Sequence, residues 1–185
     1  MEDNEIINKI IEFTDQAHGE QTRKYNSDRY IVHPIRVMET CKQYTNRLDI
    51  LAAAVMHDLL EDTSLTKDDI LKFLHSLMDH GMKVRTVKMI VDLTDVYIKK
   101  DFPHLNRGQR KALELNRLQK ISPEAQTIKY ADILDNAKEI VQDDSSFARR
   151  YLQECRNILN GLKRGNFKLR KVATDLVNGE LMKLK

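Results

Sequence analysis

Residues 54–63 read AVMHDLLEDT, so that His57, Asp58, Glu61 and Asp62 close an apolar run that begins at Ile50. A separation of four joins His57 to Glu61 and Asp58 to Asp62, and on a helix this puts the four side chains on adjacent faces over one turn. Carboxylates crowded beside a core helix repel one another and lose hydration, a cost that a divalent cation offsets. The plainer alternative is a satisfied core histidine beside surface acids. What outweighs it is a second pair of donors: His33, which precedes Pro34 at a predicted helix start, and Asp132 in IKYADILDN, in step with Ile128, Ala131 and Asp135 or Asn136. Two imidazoles and two aspartates drawn from three helices suit a single borderline transition ion, Mn²⁺ in particular, whereas zinc usually takes four ligands in a tetrahedron. One chemistry that such a centre can support is hydrolysis. A bound divalent ion brings the pKa of a ligated water from about 15.7 toward neutrality and offsets charge on phosphoryl oxygens. Glu61 and Asp62 follow Asp58 by three and four positions and are the candidate proton acceptors.

Two basic groups point to a phosphorylated substrate. Arg23 and Lys24 lie in the polar stretch HGEQTRKYNSDRY, and an arginine's planar fork can both stack on a base and grip phosphate. In NRGQRK, Asn106 reads as a helix cap, which puts Arg107, Arg110 and Lys111 in the first turn, where the helix dipole disfavours cations and an arriving anion would relieve them. His18 is a candidate for lining the site. His75, His80 and His104 read as surface or packing residues, and the seven methionines as core filler.

The elements that must position these groups are helices. Three prolines and six glycines in 185 residues leave long stretches uninterrupted, and Leu, Ile, Lys, Asp and Glu recur at spacings of three and four, so the chain reads as all-α, one domain over residues 1–185 folded as a helical bundle. A first helix is predicted over about Asn4–Ala17, followed by a long ordered loop. Another starts near His33-Pro34, and a third, LDILAAAVMHDLL, has Asp49 as its cap and no polar face, the mark of a helix enclosed by others. Thr66 and Asp69 form a capping-box pattern ahead of ILKFL, VRTVKMIVDL ends near Thr94, and a second loop with Pro103 leads to Asn106. Ser122-Pro123-Glu124 starts the helix that carries Asp132, and one or two closing helices follow, the later one after Gly165.

The 31 basic and 28 acidic residues nearly balance, which gives no electrostatic reason to expect nucleic acid as a partner. The segment 156–185 is an exception in charge, a basic helical tail that reads as solvated surface. Cys41 and Cys155 form neither a metal-type pair nor a disulfide framework and read as reduced thiols of a cytoplasmic protein. The start, MEDNEIINKI, is acidic where an export signal is basic, and no run has the length of a membrane span. The expected partner is a small nucleotide, with a homo-oligomer left open.

These residues form a pattern that resembles the HD-domain metal phosphohydrolases through His33, the pair His57-Asp58 and Asp132. The neighbours are similar to the RelA/SpoT-type signature. AHGEQTRKYNSDRYIVHP resembles its Ala-His, Gln-x-Arg-Lys and Tyr-Ile-x-His-Pro, HDLLEDT its His-Asp-x-x-Glu-Asp-Thr, and IKYADILDN its Lys-x-Ala-Asp-x-x-x-Asn. The resemblance covers roughly residues 10–140. It implies a small alarmone hydrolase that removes the 3′-pyrophosphate of guanosine tetra- or pentaphosphate with one Mn²⁺. In that scheme His33, His57, Asp58 and Asp132 hold the metal, and Glu61 and Asp62 position or deprotonate the water. Arg23, Lys24 and Asn136 contact the nucleotide. Ser27-Asp28-Arg29 stands where the family commonly has Gly-x-Pro, and Ile133 where a basic residue commonly follows the aspartate. The alternatives are the same chemistry on another nucleotide (a deoxynucleoside triphosphate, a cyclic dinucleotide or NADPH) and a nucleotide-binding regulatory module without turnover.

Overall fold

A computed structural model describes residues 2–24, 27–143 and 145–184, with the backbone alone at 142, 143, 145 and 146. Tyr25 and Asn26 of the expected loop, and Lys185 of the basic tail, lie outside the described residues. The fold is all-α, as the helical spacing implies. Among the described residues the one departure from helix and turn is an isolated antiparallel bridge between Thr22 and Arg29. The backbone groups into two compact units, Met1–Thr94 and Asp95–Lys185.

The first unit contains α1 (Asp3–His18), α2 (Val32–Lys42), α3 (Leu48–Val55), α4 (Leu59–Asp62), α5 (Lys67–Leu74) and α6 (His80–Leu93). Its axis is α3, all eight of whose residues are buried against α1, α2 and α6. This is the enclosure that a helix without a polar face requires. Asp49, expected as its cap, does something else. The helix begins two residues earlier, at Leu48 after Arg47, and the Asp49 carboxylate is buried, accepting from Arg47 Nη2 at 2.8 Å and from Arg85 Nε of α6 at 2.7 Å. Its own burial raises its pKa, but the hydrogen bonds and charges of Arg47 and Arg85 outweigh that and hold the carboxyl below the usual aspartate value. The local helix-start chemistry is otherwise as read: Thr66 and Asp69 close a reciprocal capping box on α5, whose Phe73 stacks on Phe13 of α1 at 3.9 Å.

The second unit contains α7 (Arg107–Leu118), α8 (Pro123–Asp143), α9 (Ser145–Gly161) and α10 (Phe167–Lys183). Asn106 caps α7 with Gln109 completing the box, and Ser122 Oγ accepts from Ala125 N at the start of α8. The core of this unit is α8, packed by α9 and α10. The link between those two is fastened to α8 by Tyr130, whose hydroxyl donates to Leu162 O at 2.9 Å and accepts from Gly165 N at 3.3 Å. Asn166 N donates to Thr127 Oγ1 at 2.8 Å and Arg164 N to Gln126 Oε1 at 2.9 Å. Glycine is required at 165, because a Cβ there would sit 2.6 Å from Tyr130 Cε2 and 2.8 Å from Thr127 N. In α10, Leu169, Ala173 and Val177 turn inward, while Lys171 pairs with Asp175 and Lys183 with Glu180 at the surface.

Both cysteines are free and buried, and burial pushes each thiol up to about 12. No helix of the described residues is long and apolar enough to cross a membrane.

Candidate functional site

Gly19, at φ 57°, ends α1 and turns the chain into the loop that leads to α2. That loop is tied down rather than slack. Arg23 N donates to Asp28 O and Tyr30 N to Gln21 O, each at 2.9 Å, and Arg29 forms an ion pair with Asp15 of α1 at 2.9 Å. It delivers His33 to the first turn of α2, where Pro34 fits because its missing N–H has no helical partner to lose.

The second histidine arises from a helix break that the apolar run conceals. The helical spacing predicts His57, Asp58, Glu61 and Asp62 over one turn of a continuous helix. Instead α3 stops at Val55, Met56 adopts φ −99°, ψ 7°, and α4 begins only at Leu59. The turn directs His57 Nδ1 onto Ala54 O at 2.8 Å. A carbonyl only accepts, so Nδ1 carries the hydrogen and the Nε2 of the neutral ring presents a lone pair. That Nε2 lies 3.1 Å from Asp58 Oδ1, and His33 Nε2 lies 3.6 Å from Asp58 Oδ2. The two imidazoles meet edge-on with centroids 5.2 Å apart. One ligand atom from each of His33, His57 and Asp58 lies within 4.8 Å of the other two. Both histidines are buried and Asp58 is 18% exposed, so two nitrogens and a carboxylate oxygen converge in a largely buried site. A lone pair facing a carboxylate at this range calls for a cation or a proton between them, and this donor set fits a divalent metal.

Asp62 joins the group through a residue to which the sequence reading gave no role. The Tyr30 hydroxyl donates toward Asp58 Oδ2 at 2.8 Å and Asp62 Oδ2 at 2.6 Å. Burial, then the charges and hydrogen bonds of those two aspartates, hold the phenol far above its ordinary pKa, so it remains a neutral donor. The clue in the sequence was a tyrosine in a polar loop three residues before His33. His18 does line this region, stacked on Tyr30 at 4.4 Å. Glu61 is exposed on α4. Arg23 lies with its guanidinium 5.4 Å from the Tyr30 ring centroid, and Lys24 is exposed beside it.

The remaining candidates belong to the second unit. Asp132 is buried on α8, where Lys129 Nζ donates to its Oδ2 at 2.8 Å and Asn136 Nδ2 donates to its Oδ1. Asp132 and Lys129 line a cavity of about 320 Å³ together with Lys111, Leu115, Ile133 and Tyr151. The cations of α7 already have partners within this unit: Arg107 forms a two-pronged bridge to Glu154 at 2.7 and 2.8 Å, Lys111 reaches Asp95 at 3.1 Å, and Arg110 donates to Leu105 O. Carboxylates and a carbonyl therefore supply the relief that an anion was expected to bring.

The chain is similar in sequence and fold to several known proteins. Guanosine-3′,5′-bis(diphosphate) 3′-pyrophosphohydrolase MESH1 of Homo sapiens is 33% identical over 132 residues, 70% of this chain and 66% of that protein. The Xenopus tropicalis protein of the same name is 27% identical over 172 residues, covering 89% and 88% of the two chains. A guanosine-3′,5′-bis(diphosphate) 3′-pyrophosphohydrolase of Aquifex aeolicus is 38% identical over 66 residues, 36% of this chain but 9% of that one. The matched stretch is thus just under two-thirds of the human relative and a small part of the Aquifex protein. A solved structure described as a metazoan ortholog of SpoT that hydrolyzes ppGpp superposes with a TM-score of 0.78 over 94% of both chains at 21% identity, a likeness of fold. The profile of the HD domain matches residues 30–137, from Tyr30 through His33, His57-Asp58 and Asp132 to just past Asn136. The chain belongs to the HD-domain family.

Proposed function

We propose that this protein is a cytoplasmic, Mn²⁺-dependent hydrolase that removes the 3′-pyrophosphate of guanosine tetra- and pentaphosphate. The observation that carries the reading is the convergence of His33, His57 and Asp58 on one point, with Asp62 tied to Asp58 through a single hydroxyl. The named activity of the MESH1 relatives supplies the substrate. His33, His57 and Asp58 would hold the ion, with Asp132 as the fourth ligand on the strength of the sequence pattern. When bound, the ion supplies positive charge that acidifies a water and offsets charge on phosphoryl oxygens.

The chain's own groups do the rest. Asp62 and Glu61 accept the proton of the attacking water. Its oxygen bonds to the phosphorus attached to the 3′ oxygen, that P–O bond breaks, pyrophosphate departs and the 3′ oxygen takes up a proton. Arg23 and Lys24 hold the nucleotide, the guanidinium offering a flat face for a base and the ammonium a charge for phosphate. Asn136 contacts the sugar or phosphate side, and Arg107, Arg110 and Lys111 form a second cationic group that receives phosphate by exchanging it for their present partners.

The test is a panel of nucleotides incubated with purified protein and Mn²⁺, with the products separated by anion exchange. The expected result is equimolar pyrophosphate and guanosine diphosphate from guanosine tetraphosphate. Release of phosphate or pyrophosphate only from a deoxynucleoside triphosphate, a cyclic dinucleotide or NADPH would reassign the substrate. Nucleotide binding without any product would overturn the enzymatic reading.

A further inference from the structure

Four residues of the first unit form a closed ring of contacts. Tyr30 OH donates to Asp62 Oδ2 at 2.6 Å, Gln21 Nε2 donates to Asp62 O at 2.7 Å, Gln21 Oε1 meets His18 Nδ1 at 3.0 Å, and the His18 ring stacks on Tyr30 at 4.4 Å and 26°. The polarity of the ring is fixed. Asp62 O can only accept, so the Gln21 amide must point its nitrogen there and its oxygen at His18, which makes Nδ1 the protonated nitrogen of His18. His18 is 4% exposed, and its Nε2 has no hydrogen-bond partner among the described residues, so the imidazole is held by Gln21 and by the stack.

The ring acts on the one carboxylate that most needs it. Asp62 is exposed and is the last residue of a four-residue helix, so its backbone and side chain would otherwise move freely. Within the ring the backbone is gripped at the carbonyl and the side chain at Oδ2. The same hydroxyl reaches Asp58 Oδ2 at 2.8 Å, which sets the distance between Asp62 and the carboxylate nearest both histidines.

We propose that Tyr30, braced by His18 and Gln21, is a positioning residue that holds Asp62 against Asp58 in the orientation proton abstraction needs. The catalytic part of this inference rests on the hydrolase reading above; the geometric part does not. A hydroxyl has a single hydrogen, and shared between two carboxylates it also lessens their repulsion, so Tyr30 keeps both acids at one spot where two bare carboxylates would separate.

Tyr30→Phe removes the hydroxyl and keeps the stack. Its first readout needs no substrate. In a crystal structure of the variant, the Asp62 carboxylate is expected to leave its single position while α4 and the His33–His57 pair stay in place. An Asp62 carboxylate unmoved in Tyr30→Phe overturns the inference, whatever the protein hydrolyses.

The second readout is kinetic. Turnover (kcat) should fall between about tenfold and a hundredfold, the effect of misplacing a reacting group by an ångström, with KM within about twofold. In a cycle with Asp62→Asn, the double variant should be no slower than Asp62→Asn alone, and independent, multiplying losses would overturn the inference. If Tyr30→Phe fails to fold, Gln21→Met on the exposed side of the ring takes its place, with a smaller fall in kcat expected and the same cycle deciding. A wild-type protein inert toward every nucleotide would sink the hydrolase reading and with it the catalytic part, and the Asp62 geometry would then decide the structural part alone.

Discussion

Gly165→Ala should destabilise the second unit, and the geometry gives the size of the effect. The added methyl would lie 2.6 Å from Tyr130 Cε2, 2.8 Å from Thr127 N and 3.0 Å from Thr127 Oγ1, where relaxed carbon contacts lie at about 3.5–4.0 Å. Neither neighbour can yield cheaply. Tyr130 is fully buried with its hydroxyl bonded at both faces, and Thr127 N is part of the α8 backbone. If the clash is absorbed in place, overpacking costs about 1–3 kcal/mol. If the link moves away, the bonds from Arg164 N, Gly165 N and Asn166 N to α8 weaken, at about 1 kcal/mol each. The φ of Gly165 is not positive, so alanine also restricts the unfolded chain and returns about 0.4–1 kcal/mol. The net loss is about 2 kcal/mol, or about 4–8 °C in Tm for a chain of this length. Gly179→Ala is the internal control. It lies within α10 with nothing inside 4 Å of its Cβ position, so helix propensity alone should raise stability by about 1 kcal/mol. Urea titration and thermal melts followed by circular dichroism would measure both. Gly165→Ala as stable as the parent, beside a Gly179→Ala that gains stability, would refute the close-packing argument.

Further expectations can be checked with the same preparation. Asp58→Ala should lose divalent-ion binding, by calorimetry, by about a hundredfold or more, since removing a ligand should exceed the tenfold to hundredfold usual for the residues behind ligands; binding unchanged would remove Asp58 from the set. Glu61→Gln should retain the ion while turnover drops on the order of a hundredfold, and full turnover would discharge Glu61 from the mechanism. Asp49→Asn should matter most at neutral pH. The folded pKa of Asp49 lies below its unfolded value near about 3.9, so its stabilising contribution is complete above that value and disappears as pH falls through the folded pKa. Parent and variant stabilities should therefore converge in acid, and a constant gap from pH 7 down to strong acid would contradict the pairing with Arg47 and Arg85. Cys41 and Cys155 should resist alkylation at pH 8 until the protein is unfolded, as mass spectrometry would register.

What could be read from the sequence was what depends on near neighbours. Thr66 with Asp69, Asn106 alone and Ser122 before Pro123 each announced a helix start, because capping bonds span only three residues. The histidines and Asp58 were legible as donors because their types and their helical neighbourhoods are unusual together. What escaped were partnerships made by folding. Asp49 resembled a cap but meets Arg85 36 positions away, and Arg107 has a partner in Glu154 47 positions away. The helix break at Met56 was hidden because the apolar run passes through it unchanged, and backbone direction leaves no mark on hydropathy. Tyr30 was missed for a related reason: its task is defined by Asp58 and Asp62, which only the loop's return path brings to its hydroxyl.

The alanines of α3 carry a consequence for the spacing of the two imidazoles. Ala52, Ala53 and Ala54 are wholly buried in a helix pressed on by α1, α2 and α6, and Ala54 O is the atom that orients the His57 ring. Methyl groups let helix axes come close, so the gap between the imidazole on α2 and the one just beyond α3 is inherited from interior packing rather than from the donors themselves. The spacing of the two imidazoles is thus written in hydrocarbon, and a larger side chain at Ala52, Ala53 or Ala54 would shift it without changing a single donor.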